Sequence, residues 1–167
     1  LRIVQPVIEP GKDSQQEDAE RSFRLYLQLS DGAKSPGESG IGGITLLVWP
    51  ELAVPFFLTD RPDALAALAA LLPDGTTLLT GAARLERAGS GEPAQAYNSI
   101  YAIGDDGEIL AAYDKVRLVP FLEFQPFHSV LTAIGLNRLS EPDRGFAAGA
   151  RRQTLTLADM PPFAPLI

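Results

Sequence analysis

Apolar residues in this chain fall into short blocks separated by polar, Gly-rich or Pro-rich breaks, and their spacing distinguishes strands from helices. The opening "LRIVQPVI" is a short β-like run stopped by "EPG". "DSQQEDAERSFRLYLQLS" has helical spacing. Ala19, Phe23 and Leu27 share a face, and acids sit early, where the helix dipole favours them. "DGAKSPGESGIGG" predicts a surface loop. "ITLLVW" is unbroken apolar sequence, the pattern of a strand buried on both faces. In "TDRPDALAALAALLPDG", Thr59 or Asp60 can cap a helix, Pro62 fits its first turn, and Pro73-Asp74-Gly75 ends it. Its Leu and Ala residues cover most of its circumference, which predicts a largely buried helix.

"TTLLTGAARLE" reads as the next strand and "RAGSGEPAQ" as a loop. "AYNSIYAIG" and "EILAAYDKVRLV" flank "DDG", so they predict a hairpin with Asp106-Gly107 at its tight turn. From residue 120 to 149 the Pro and Gly content suits a long loop with short helices around a site. "RRQTLTLADM" reads as a last strand-like piece. The sequence of strand, helix, strand, helix, strand and hairpin predicts an α/β fold with helices packed on a mixed sheet. Chemistry in such folds collects at the ends of buried strands.

The chain has 167 residues, which suits one domain or a large piece of one. A net charge of −7 leaves no basic footprint for a phosphate backbone, so nucleic-acid binding is not expected. There is no cysteine, which excludes disulfides, thiolate metal sites and a cysteine nucleophile within the chain. No run reaches the ~18–20 apolar residues that span a bilayer, and the first residues lack the pattern of a signal peptide. Residue 1 is Leu within an apolar run, and the last residues are the apolar "MPPFAPLI". The sequence is therefore expected to be an excerpt of a longer protein.

One stretch, "LLVWPELAVPFFLTD", sets a single carboxylate, Glu51, between two apolar runs. At the mouth of an apolar cavity such a group loses hydration and becomes a better base near neutral pH. The alternative is a glutamate that turns outward where a strand ends. Lys115 ends the strand "AAYDKVRLV", either as a solvated charge or as a fixed cation for an oxyanion. Asp114 is a turn residue or the partner of a nearby cation. Glu123 is a second acid boxed in by Phe121, Leu122 and Phe124. Two boxed acids and a strand-end lysine together suggest a polar cluster. Other candidates carry less. His128, the one histidine, has no second ligand type beside it to suggest a metal. "GIGG" precedes a strand, not a helix, so it is not a phosphate loop. Ser99 lacks the elbow context of a serine hydrolase. Tyr97 and Asn98 are a turn pair or line a pocket, and Arg151-Arg152 is a solvated pair.

"LRIVQP", "VWPE" at 48–51, "YNSIY" at 97–101, "YDKVRLVPF" at 113–121 and then Glu123 occur in that order. Together they resemble the nitrilase-type domain of the apolipoprotein N-acyltransferase family, over essentially the whole chain. Generic nitrilases and amidases share the Glu and the Lys but seldom the "LVPF" context. The resemblance implies a four-layer α-β-β-α sandwich, here incomplete, and a Glu-Lys-Cys catalytic set. Glu51 takes the place of the general base, Lys115 that of the oxyanion-stabilising lysine, and Glu123 that of an additional glutamate supporting them. Two departures stand out. The family usually reads "PFGE", where this chain has Leu122 in place of Gly. The family's nucleophile follows an apolar strand such as "PLI" in a "CYE" motif, so by resemblance the chain stops one residue short of that cysteine.

For the parent protein the resemblance implies a bacterial inner-membrane enzyme whose domain faces the periplasm, anchored by membrane helices that lie before this sequence. It moves an acyl chain from a phospholipid, through a cysteine thioester, to the N-terminal diacylglyceryl-cysteine of a lipoprotein, with no metal or organic cofactor. The chain alone is expected to be inactive and poorly stable. Two other readings remain open: a soluble amidase or nitrilase-like hydrolase using the same groups, and a non-catalytic α/β scaffold in which Glu51 and Lys115 are unrelated surface charges.

Overall fold

A computed structural model describes residues 1–8, 14–32, 40–87, 94–120, 123, 145–158 and 160–167. Strands β1 (Arg2–Ile3), β2 (Leu46–Val48), β3 (Thr77–Glu86), β4 (Gln95–Ile103) and β5 (Ile109–Asp114) form one sheet in the order β1-β2-β3-β4-β5. The first three strands run parallel, and β3, β4 and β5 form an antiparallel meander. Helices α1 (Gln15–Asp31) and α2 (Pro62–Leu71) share one hydrophobic core with the sheet. Sheet and helix layer pack as two layers of an α/β fold.

Cross-strand neighbours share a face, so the register assigns each residue to one side of the sheet. Leu47, Trp49, Leu78, Thr80, Ala82, Ser99, Tyr101 and Ile103 point to the helix side, and all of them are buried. Phe23 and Tyr26 of α1 and Ala64 and Leu68 of α2 close over this face. Trp49 is the hinge of the core. Its ring lies 4.8 Å from Tyr26 and 6.2 Å from Phe23, and its indole N–H donates to the buried Ser30 hydroxyl at 2.9 Å. Helix α1 begins with a capping box. Ser14 Oγ accepts from the Glu17 N–H at 3.3 Å, while Glu17 Oε2 accepts from the Ser14 N–H at 3.1 Å. Its last turn has no basic residue, but the buried Arg2 guanidinium of β1 reaches the carbonyls of Ser30, Gly32 and Gly40 there.

The hairpin turn is as expected: Gly107 has φ +80°, and its N–H donates to the Gly104 carbonyl at 3.0 Å. Four expectations need correction. First, Thr59 and Asp60 do not cap α2. They belong to a 3-10 turn, Leu58–Asp60, and Arg61 occupies the N-cap without a side-chain cap bond. The Arg61 guanidinium instead pairs with Asp63 and with Glu20 of α1, tying the two helices together. Second, α2 buries a single stripe. Ala64 and Leu68 are buried while Ala66 and Ala70 are exposed, because alanine has too little apolar surface to compel burial. Third, the β2 run is a three-residue strand with Leu47 buried and Leu46 and Val48 half-buried, so its second face is only partly covered. Fourth, the described residues of "RRQTLTLADM" form no strand; a bridge between Leu155 and Phe163 replaces the ladder. The expectations for His128, for Leu122, for the loops at 33–39 and 88–93 and for 124–144 lie outside the described residues.

Candidate active site

Glu51 stands where β2 leaves the sheet and returns to it. The Trp49 N–H still donates to the Leu79 carbonyl at 2.9 Å, and the Val54 N–H rejoins at the Gly81 carbonyl at 3.1 Å. Between them residues 50–53 loop outward with Glu51 near the tip. The buried Trp49, Ala53 and Val54 anchor the two ends of this loop, which is why one acid interrupts an apolar sequence. The loop passes close over β3. A Cβ on Gly81 would lie 2.6 Å from the Glu51 Cα and would also collide with the Leu52 nitrogen, so only glycine lets the turn settle there. Leu52 has φ +51°, a left-handed conformation that costs a non-glycine residue of order 1 kcal/mol.

The other two residues come from the end of β5 and just beyond it. Lys115 extends the hairpin, its N–H donating to the Asn98 carbonyl at 2.8 Å, while its own carbonyl accepts from the Gly149 N–H at 2.8 Å. Glu123 folds back onto the same turn: its N–H donates to the Val119 carbonyl at 2.9 Å, and its Oε2 accepts from the Val119 N–H at 2.7 Å. The Glu123 carbonyl accepts from the Phe146 N–H at 2.7 Å, so the segment 146–149 straps both residues in place.

The three side chains meet on the sheet face opposite the helices. Lys115 Nζ donates to Glu51 Oε1 at 2.7 Å and to Glu123 Oε1 at 3.0 Å. Asn98 Nδ2 donates to the same two oxygens, at 2.6 Å and 2.8 Å. The result is a closed ring of two carboxylate oxygens alternating with two nitrogen donors. Side-chain exposure is 8% for Lys115 and 10% for Glu123, but 43% for Glu51. The expected dehydration therefore falls on the lysine and the second glutamate, because Glu51 sits on a loop tip at the open end of the site. Glu51 Oε2 has no hydrogen-bond partner among the described residues, and Lys115 uses two of its three protons on the carboxylates.

Burial by itself would push the Lys115 ammonium down, but its hydrogen bonds to Glu51 and Glu123 outweigh this and hold it above the ordinary lysine range. Burial likewise would raise Glu123; the Val119 N–H, the Asn98 amide and the Lys115 ammonium together bring it below the usual carboxylate range. Lys115 and Glu123 are thus both held in their charged forms at neutral pH.

Several sequence candidates lie elsewhere. Asp114 points to the helix side and is the partner of a cation: Arg84 grips it with Nε and a terminal nitrogen at 2.8 Å and 2.7 Å, and the buried Ser99 hydroxyl donates to it at 2.6 Å. Tyr97 lies under Arg84 at 4.5 Å. "GIGG" forms a turn before β2, and Arg151 and Arg152 are exposed. Tyr97 and Asn98, expected to be a turn pair or to line a pocket, form no turn: both lie in β4, and Asn98 joins the site. Gly81 was not among the candidates, although a glycine inside the strand pattern "TLLTGAARLE" is a signal of close backbone approach.

The family model for carbon-nitrogen hydrolases matches residues 1–155. The chain belongs to the carbon-nitrogen hydrolase family. It is 44% identical over 168 residues to apolipoprotein N-acyltransferase of Rhodopseudomonas palustris and 45% identical over 167 residues to that of Agrobacterium fabrum. Each match covers 100% of this chain and 31% of the relative, so the chain spans about a third of the length of these relatives. The glutamine-dependent NAD+ synthetase of Acinetobacter baumannii shares the fold, with a TM-score of 0.50 and 17% identity over 84% of this chain and 23% of that one. No helix among the described residues is long and apolar enough to cross a membrane.

Proposed function

We propose that this sequence forms part of the nitrilase-type domain of a phospholipid:apolipoprotein N-acyltransferase. Glu51 is the general base, Lys115 the oxyanion-stabilising cation and Glu123 the group that holds Lys115 charged. One observation carries the proposal: a nearly buried ammonium gripped by two carboxylates, one of them half-open to solvent with an oxygen that has no partner among the described residues. The scaffold alternative required Glu51 and Lys115 to be far apart, and they are 2.7 Å apart. The names of the sequence relatives favour acyl transfer over hydrolysis of small amides.

The chain has no cysteine, so the thiol of this mechanism comes from outside it. Glu51 Oε2 takes the thiol proton, and the thiolate attacks the ester carbonyl of a phospholipid. The third Lys115 proton meets the tetrahedral oxyanion. Collapse expels the lysophospholipid and leaves a thioester. Glu51 gives the proton it took from the thiol to the departing lysophospholipid oxygen as the ester C–O bond breaks. The α-amine of a diacylglyceryl-cysteine then attacks the thioester. Glu51 takes a proton from the attacking nitrogen and returns it to the sulfur as the C–S bond breaks, and the acylated lipoprotein departs with the thiol restored. We assign the parent protein to the bacterial inner membrane, with this domain on the periplasmic side, where both lipid substrates lie.

The test is an assay of the full-length protein bearing this sequence, with phospholipid vesicles, a diacylglyceryl lipopeptide and, separately, small aliphatic amides. Triacylated peptide with one equivalent of lysophospholipid is the expected product. Amide hydrolysis without acyl transfer would assign the site to the hydrolase class instead.

A further inference from the structure

We propose that Asn98 is a positioning residue of this site: its buried amide nitrogen, shared between Glu51 Oε1 and Glu123 Oε1, sets the spacing of the two carboxylates and so aims Lys115. This rests on the acyl-transfer reading above. The two oxygens accept from the same pair of donors, so they lie close together and repel each other. Lys115 supplies one positive charge against two negative ones. Without a second bridge, Glu51, on its exposed loop tip, is free to swing toward water. An amide nitrogen has two protons, one for each carboxylate, and it adds no charge.

The placement of Asn98 suits this task. Its side chain is wholly buried on β4, a central strand with neighbours on both sides, and its carbonyl accepts from the Lys115 N–H. The amide orientation follows from its surroundings, since an amide oxygen facing two carboxylates would be repelled. Its Oδ1 is buried with no partner among the described residues, so the nitrogen's two bonds decide the orientation. Among the described residues the charged groups facing Asn98 are Glu51, Glu123 and Lys115. Asp114 and Arg84 lie on the other face, where Arg84 also pairs with Glu86.

The experiment uses full-length Asn98→Ala, Asn98→Asp and Asn98→Ser, with folding checked by circular dichroism and thermal unfolding. Asn98→Ala is expected to lower kcat about 100-fold with KM for phospholipid within about threefold of wild type. Its kcat/KM profile moves its acid limb to higher pH, because Glu123 loses a donor that favours its ionised form. Asn98→Asp puts three carboxyls around one lysine, so its activity survives only where they share a proton and falls with rising pH where wild type is flat. Asn98→Ser keeps one donor and retains intermediate activity. A titration of 13C-labelled glutamate carboxyls by infrared spectroscopy reads the same network without turnover, and Glu123 should ionise at higher pH in Asn98→Ala. Wild type that transfers no acyl chain, with that titration shift present, sinks the acyl-transfer reading and upholds the role of Asn98. Wild-type kcat and titration in Asn98→Ala overturn the proposal. Loss of the fold in all three variants also overturns it, making Asn98 architectural.

Discussion

Asp114 and Lys115 are consecutive residues, yet they do opposite things. The strand's two-residue period sends Asp114 to the helix side and Lys115 to the far side of the sheet. Asp114 meets one guanidinium in a two-pronged grip and one hydroxyl, so both its oxygens are occupied; the same Arg84 also reaches the exposed Glu86 at 3.1 Å. Lys115 likewise meets two carboxylates, but it keeps one proton unused, and one Glu51 oxygen has no partner among the described residues. A cluster whose acceptor is filled is a fastening. A cluster with a spare acceptor and a spare proton is poised to take part in chemistry.

The two neighbours should differ most in what their loss, or their partner's loss, does to activity. Lys115→Met in the full-length protein is expected to reduce acyl transfer about 10³-fold. Arg84→Met should leave activity per folded molecule within about threefold of wild type, because Arg84 touches only the fastening. Acyl-transfer kinetics of the two purified variants check this, and equal losses would erase the distinction. Gly81→Ala should come next: its methyl group pushes the Glu51 turn off β3 and lowers kcat about 100-fold while leaving the Arg84–Asp114 pair intact. Asp114→Asn should cost about 1–3 kcal/mol in urea unfolding, with little change in specific activity.

The smallest effect is on pH dependence. Burial opposes ionisation of Asp114, but Arg84 and Ser99 prevail and lower its pKa, as the ring lowers that of Glu123. Both contributions to stability are complete above the ordinary carboxylate range and drain away as pH falls below about 4. Lys115 is raised, so its contribution is complete below about pH 10 and is lost as pH rises further. Unfolding midpoints should therefore be level from about pH 5 to 10, and Asp114→Asn should blunt only the acid fall.

The sheet's central elements were legible because their signals are local. The "LLT" and "SIY" runs, the left-handed Gly107 at the hairpin and Pro62 at the first turn of α2 each announce their structure without outside help. Glu51 and Lys115 stood out because a charge at the end of an apolar strand is conspicuous. What escaped depends on contacts far along the chain. Asn98 reads equally as a turn residue or a pocket-lining one until Glu51, 47 positions away, and Glu123, 25 positions away, arrive beside it. Thr59 and Asp60 have the chemistry of caps, but the turn over Leu58 uses them first. The alternation in "TLTL" promised a strand, and a ladder also needs a neighbour in register; there the chain finds one bridge.

In the proposed mechanism Glu51 deprotonates a thiol whose acyl adduct Lys115 helps to form. Single-turnover formation of the thioester from phospholipid, with no lipoprotein acceptor present, tests it most directly. Wild-type full-length protein should accumulate the acyl-enzyme, and Glu51→Gln should form it about 10² to 10⁴ times more slowly. A Glu51→Gln protein that acylates at the wild-type rate would contradict the account.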